Sequence, residues 1–210
     1  AIARDVGASH ITGILYSGFT KYNRPATQAG LEQSVAILRR VCEAALPSNI
    51  TLGMEVVNRY ETNILNTAAQ GVAFCEMIGV PNAKVHLDCY HMNIEEADAE
   101  QAIVHAGDRL GYFHTGDSHR GYLGSGSINF TPIFRGLARI GYAGPITFES
   151  FSSEVVDANL SNILGIWRNL WTDSEDLVRH AKAFTEAQMI SATATLRLSN
   201  HQPKGVLHHG

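Results

Sequence analysis

The sequence predicts an α/β fold of parallel strands alternating with helices, arranged as about the last five units of a (β/α)8 TIM barrel. Three observations predict it. The short apolar runs TLGMEVV, AKVHLDCYH, RLGYFHTGD and GPITFESF start roughly 25–35 residues apart with helical patterns between them, the length of one βα unit. Each run ends on a group that carries chemistry: Glu55, Asp88, His114 and Glu149. The C-terminal ends of barrel strands all open onto one mouth, whereas an open doubly wound sheet gathers its ligands at a single switch point. Finally, the chain has 210 residues and five visible strands, where eight units take about 250 residues. The first three units are therefore expected to be missing, with residues 1–198 forming part of one domain and 199–210 a polar tail.

Taken in order, AIARDVGASH reads as the end of a helix running into a strand. HITGILYSGF, residues 10–19, is the first strand, closed by Gly18 and a polar loop. Pro25 suits a first helical turn, and Leu31, Val35, Leu38, Val41 and Cys42 recur at three- and four-residue steps, which predicts a helix over 26–46. TLGMEVV is the second strand, and its helix spans 64–78 before Gly79 and Pro81. AKVHLDCY is the third strand, with an acidic-started helix over 95–106. RLGYFHTGD is the fourth. After a long glycine-rich loop, Asn129 caps the next helix, with Pro132 in its first turn and Gly141 past its end. GPITFES is the fifth strand, followed by helices over 159–170 and 174–193.

The composition is that of a globular domain with a sizeable core: 45% hydrophobic, 17% charged, net charge −4, pI near 6.2. No signal peptide and no membrane-length apolar run is evident. Cys42, Cys75 and Cys89 are odd in number and lack CxxC spacing, which points to free thiols in a reducing cytoplasm. A mildly acidic chain without basic runs argues against nucleic acid as a partner.

Three carboxylates and one imidazole at one mouth read as a metal site. The sequence resembles the metal-dependent ketose 3-epimerases of the D-tagatose, D-allulose (psicose) and L-ribulose type, within the xylose-isomerase-like TIM barrels. The resemblance rests on GMEVVNRYETN, VHLDCYHMNIEE, GYFHTGDSHRGYLGSG and ITFESF and runs from the first strand to the last helices. It implies that Glu55, Asp88, His114 and Glu149 bind one divalent ion, usually Mn²⁺, and that Glu61, His91 and Arg120 contact a small ketose. It also implies a homo-oligomer, dimer or tetramer, for the full-length form.

The chemistry of the residues agrees. One nitrogen among carboxylate oxygens suits Mn²⁺, Mg²⁺ or Co²⁺ better than a thiolate-loving zinc site. Three carboxylates against one divalent cation leave one surplus negative charge, so one carboxyl can hold a proton. Epimerisation beside a carbonyl needs a proton removed from one face and returned to the other, and Glu55 and Glu149 are the expected acid and base. Other isomerases or dehydratases of the same barrel class, its multi-zinc endonuclease branch, and an inactive barrel fragment with exposed sheet edges are the competing expectations.

Several further residues read as structural. His86 alternates with Asp88 and fits a core histidine. Asp117 and His119 suit a loop that positions Arg120 better than a second metal. Gly124 and Gly126 lack a Walker lysine, Ser152 and Ser153 lack a nucleophile elbow, and Trp167 and Trp171 are expected to pack one helix face. His208 and His209 belong to the tail.

Overall fold

The structure, a computed structural model, describes residues 2–201. Five parallel strands, β1 (His10–Gly13), β2 (Thr51–Glu55), β3 (Ala83–Asp88), β4 (Leu110–Thr115) and β5 (Ile146–Phe148), pair in chain order into one curled sheet, a half-barrel. Around it lie α1 (Ile2–Asp5), α2 (Gln28–Ala45), α3 (Ala68–Ile78), α4 (Cys89–Glu95), α5 (Ala99–Ala106), α6 (Phe130–Arg139), α7 (Ala158–Leu164) and α8 (Ser174–His201).

The core lies between the sheet and this helical layer. Leu52 and Met54 of β2, Val85 and Leu87 of β3 and Phe113 of β4 pack in one buried cluster with Leu38, Cys42, Phe74, Ile78, Ile103, Phe134 and Leu137 from the helices. Because side chains alternate across a strand, the residues between these point to the other face, the barrel interior. That is where Thr12, Gly53, Glu55, His86, Asp88, Tyr112 and His114 meet.

One irregularity sets the register. His86 pairs with Tyr112, while Val85 pairs with Leu110, so Gly111 is an extra residue in β4. A Cβ at Gly111 would stand 2.4 Å from Lys84 Cβ, so only glycine fits the bulge. The extra residue brings His114 directly opposite Asp88.

Helix starts follow the expected capping chemistry. Thr27, Thr67, Asp98 and Asn129 each accept a backbone N–H at the N-terminus of the following helix, Thr67 in a capping box with Gln70. Gly79 and Gly141, at φ 72° and 62°, follow the ends of α3 and α6.

Several boundaries differ from the sequence reading. The first strand ends at Gly13, because the chain turns there (Leu15 N–H to Gly13 O, 2.9 Å) and Tyr16 leaves the sheet to donate to the Glu55 carbonyl at 2.6 Å. Thr27 caps α2, so Pro25 precedes the helix. The helix expected over 64–78 begins at Ala68. The third strand stops at Asp88, whose Oδ1 accepts the Tyr90 N–H at 2.7 Å and starts α4, a helix the apolar pattern did not reveal. The helix expected over 95–106 is α5, which begins at Ala99 after the Asp98 cap, whereas α4 lies before it and starts within the stretch expected as strand. Gly165, at φ 69°, ends α7 after Leu164, so Trp167 and Trp171 share no helix face. Trp167 is 78% exposed, and Trp171 Nε1–H donates to Ser150 Oγ at 2.8 Å. The helix α8 continues through 199–201, the first part of the expected tail, and the remainder, with His208 and His209, lies outside the described residues.

Candidate active site

Strand register assembles the centre. Glu55 ends β2 opposite His86, Asp88 ends β3 opposite His114, and Glu149 follows β5 with its N–H on the Thr115 carbonyl at 2.9 Å. One ligand atom from each of Glu55, Asp88, His114 and Glu149 lies within 4.8 Å of all the others. His114 Nδ1 stands 3.5 Å from Glu55 Oε1, 3.8 Å from Asp88 Oδ2 and 3.8 Å from Glu149 Oε2. That nitrogen is buried and has no hydrogen-bond partner among the described residues. Asp88 divides its labour, with Oδ1 capping α4 and Oδ2 turned to the centre. A cap and a site group need not be alternatives for a strand-end carboxylate.

Arg120 bridges two members of the set, Nη1 donating to Asp88 Oδ2 at 3.0 Å and to Glu149 Oε2 at 2.8 Å. Its guanidinium lies 3.7 Å over the Tyr90 ring, where the ring quadrupole favours a cation. The backbone of Arg120 sits at φ 63°, a left-handed conformation that a non-glycine residue adopts only when its surroundings hold it there. Asp117 supplies that hold. Fully buried, it accepts N–H groups from Ser118 at 2.6 Å, Gly124 at 2.7 Å and Gly126 at 3.2 Å, and its carbonyl accepts the Arg120 N–H at 2.9 Å. A Cβ on Gly126 would fall 1.9 Å from Asp117 Oδ1. The glycine-rich loop therefore closes on Asp117 and aims Arg120.

The third group lies beside the first two. His91, on α4, is 2% exposed, and its Nε2 is 3.8 Å from both Glu61 Oε2 and Asp88 Oδ2. Asn58 joins this pair, its N–H donating to His91 Nδ1 at 3.1 Å and its Nδ2–H to Glu61 Oε1 at 3.0 Å. Arg59 clamps the same loop to α4 through Glu95, with Nε–Oε1 at 2.9 Å and Nη2–Oε2 at 2.7 Å.

The electrostatics follow from burial among opposite charges. Burial alone would lower His114, but the close carboxylates of Asp88, Glu55 and Glu149 carry it up to about 10. Burial would raise Asp88, yet Arg120 and His114 hold it well below the usual carboxylate range. Burial pushes Glu149 up to about 7, Arg120 opposing and Asp88 adding to the rise. His91 is pushed down to about 3, chiefly by burial, and burial raises Glu61. His86 is lowered by burial, its Nδ1 2.6 Å from Thr12 Oγ1 and its ring edge-on to His114 at 4.2 Å. The grouping Glu55, His86 and His114 shares two members with the main set and so belongs to the same centre.

A cleft of about 440 Å³ opens over these groups. Glu55, Glu61, His91, Arg120 and Glu149 form its polar side, and Ile14, Phe19, Val57, Phe151, Leu160 and Leu164 its apolar walls. Few convergent polar groups in an apolar cleft describe a small-molecule site.

Residues 1–187 match the family of xylose isomerase-like TIM barrels. A ketose 3-epimerase of Arthrobacter globiformis is 50% identical over 197 residues, 94% of this chain and 68% of that protein. An L-ribulose 3-epimerase of a Methylomonas species is 51% identical over 179 residues, 85% of this chain and 63% of that protein. A solved structure of an L-ribulose 3-epimerase superposes with a TM-score of 0.92 at 48% identity, covering 96% of this chain and 69% of that one. The chain belongs to the ketose 3-epimerase family. It spans about two thirds of the length of these relatives.

Every residue expected at the site lies at this centre of the ketose 3-epimerase scaffold. Glu55, Asp88, His114 and Glu149 form the carboxylate and imidazole set, and Glu61, His91 and Arg120 border it within the same cleft. Asn58 escaped the sequence reading. It carries no charge and opens a loop, and its one visible signal was its place inside the stretch GMEVVNRYETN. Ser152 is spent on structure, its Oγ accepting the Leu170 N–H at 3.0 Å.

Proposed function

We propose that this chain catalyses the metal-dependent epimerisation of free ketoses at carbon 3, of the D-tagatose, D-allulose/D-fructose or L-ribulose type. The observation that carries the reading is the convergence of Glu55, Asp88, His114 and Glu149 within 4.8 Å on a fold shared with ketose 3-epimerases. The donor set fits a divalent ion, because His114 Nδ1, among three carboxylates, is a buried polar atom without a hydrogen-bond partner among the described residues. One nitrogen with carboxylate oxygens favours Mn²⁺, with Co²⁺ or Mg²⁺ as alternatives. A bound ion supplies Lewis-acid stabilisation of negative charge on neighbouring sugar oxygens.

The protein's own groups then divide the work. Glu55 and Glu149 exchange the carbon 3 proton, one removing it and the other returning one to the opposite face, with roles reversed in the other direction. Burial raises Glu149 in the metal-free chain, and a divalent ion at the same centre would oppose that rise. Arg120, His91 and Glu61 hold the remaining sugar oxygens, and the apolar walls of the cleft exclude water from the reacting centre.

We infer further that the five strands belong to an eight-unit barrel whose other three units lie before residue 1, and that 1–198 is one part of that domain. The two edge strands β1 and β5 and the greater length of the relatives support this. Among the described residues no helix is long and apolar enough to cross a membrane. A cytoplasmic homo-oligomer acting on a small sugar, without nucleic acid, is the setting the reading implies.

The test is to incubate the chain with Mn²⁺ and each ketose in D₂O and follow deuterium at carbon 3 by NMR. Deuterium entry that Glu149→Gln abolishes supports the reading. Absence of exchange, both here and in a chain extended by the proposed preceding units, would sink it.

A further inference from the structure

We propose that Asn58 is a positioning residue that fixes the tautomer of His91, so that His91 and Glu61 form a donor and acceptor pair matched to one sugar hydroxyl. The proposal deepens the ketose reading of the same cleft and rests on it for its substrate half only.

Asn58 is 1% exposed, and every polar atom of it is engaged. Its N–H donates to His91 Nδ1 at 3.1 Å. A backbone N–H cannot accept, so Nδ1 must present its lone pair. The side-chain amide is oriented independently of the histidine, because Oδ1 accepts the Tyr60 N–H at 2.9 Å. Nδ2 therefore occupies the other end, donating to Glu61 Oε1 at 3.0 Å and lying 2.9 Å from His91 Nδ1. Two donors face one ring nitrogen, and a ring with a lone pair on Nδ1 carries its proton on Nε2.

That proton points into the cleft. His91 Nε2 is 3.8 Å from Glu61 Oε2, too long for a direct hydrogen bond. A hydroxyl oxygen between them would accept from Nε2–H and donate to the carboxylate. A carbonyl or ether oxygen has no hydrogen for Glu61, so the pair distinguishes a hydroxyl from either. Arg120 Nη2 lies 3.3 Å from the same Nε2. With a hydrogen on both nitrogens this is a contact and not a hydrogen bond, which leaves the Nη1 bonds to Asp88 and Glu149 as the ones that orient Arg120. The clamp from Arg59 to Glu95 holds the loop of Asn58 against the helix of His91, which keeps the two residues in step.

The experiment reads the tautomer directly. The chain, labelled with ¹⁵N-histidine, is studied by long-range proton–nitrogen correlation NMR, with His91→Gln to assign the signal. The wild-type ring is expected as the Nε2–H form. In Asn58→Asp a carboxylate oxygen replaces the Nδ2 donor while the backbone N–H still faces Nδ1, so the Nε2–H form is expected to lose population to an Nδ1–H form. An Nδ1–H form in the wild type, which needs no variant, overturns the proposal, and an unshifted tautomer ratio in a folded Asn58→Asp overturns the part assigned to the Asn58 side chain.

The kinetic arm uses Asn58→Asp and Asn58→Ala with Mn²⁺ and the best ketose. The KM is expected to rise about tenfold, the loss of about one hydrogen bond, with bound Mn²⁺ per chain unchanged. A tautomer that moves while KM stays the same refutes the substrate half and leaves the positioning role standing. A wild-type chain without 3-epimerase activity refutes the ketose reading, and the tautomer measurement still decides the role of Asn58.

Discussion

Asp88 and His114 are direct cross-strand partners in β3 and β4, and the Asp88 Oδ2 to His114 Nδ1 distance is 3.8 Å. The proton that the surrounding carboxylates hold on His114, up to about 10, occupies the place a metal ion would take. Ion binding must release it. The affinity for Mn²⁺ should therefore rise with pH between about 6 and 9, approaching tenfold per unit where one proton is displaced. Titration calorimetry in buffers of different ionisation enthalpy measures the release. A pH-independent affinity with no proton release would refute the assignment of His114.

The same raised group makes a statement about stability. A histidine whose folded value lies above its unfolded one, about 6.5, stabilises the fold fully below that value. The contribution is lost as pH rises through the folded value, about 10. The metal-free chain should thus lose stability from pH 6.5 to 10, and His114→Asn should flatten that slope in denaturant melts. An equal slope in both proteins would count against the prediction.

Removing Arg120 leaves Asp88 and Glu149 with the His114 imidazolium alone as close counter-charge. Arg120→Ala should cost about 3–5 kcal/mol in chemical denaturation, and Mn²⁺ should recover part of it by supplying positive charge to the same oxygens. Arg120→Lys should fall between, since a point charge cannot reproduce a planar fork. A loss below 1 kcal/mol for Arg120→Ala would show that the bridge in the structure contributes little.

Glu149→Gln should lower carbon 3 exchange by about 10²–10⁴-fold, the range for removing a general acid or base. The fold should survive, because the Glu149 side chain is 29% exposed and lies past the end of β5. Exchange near the wild-type rate would exclude Glu149 from proton transfer.

Gly126→Ala is predicted to act at a distance. Its Cβ would collide with Asp117 Oδ1 at 1.9 Å, so the loop must open and Arg120 lose its aim. The expected cost is about 1–3 kcal/mol, together with a raised KM for the ketose. Asp117→Asn, which keeps the shape but weakens the acceptor of three backbone N–H groups, should show the same effects in milder form. Normal kinetics in both would detach the loop from the site.

The sequence by itself determined the βα order, the capped helix start at Asn129, and the strand-end placement of Glu55, Asp88, His114 and Glu149. These are local or periodic features: apolar runs, turn residues and the rule that strand ends of a parallel sheet share one mouth. What only the tertiary structure decided depends on register and on contacts between distant segments. The Gly111 bulge, invisible as composition, sets His114 against Asp88 by shifting one ladder by one residue. The helix α4 starts inside an apolar stretch because Asp88 caps it, where periodicity favoured a continuing strand. Asn58 acquires its role from His91, 33 residues away, and Asp117 from the glycine loop that folds back onto it. An uncharged or loop residue offers no pattern along the chain, and its partners exist only once the strands are in register.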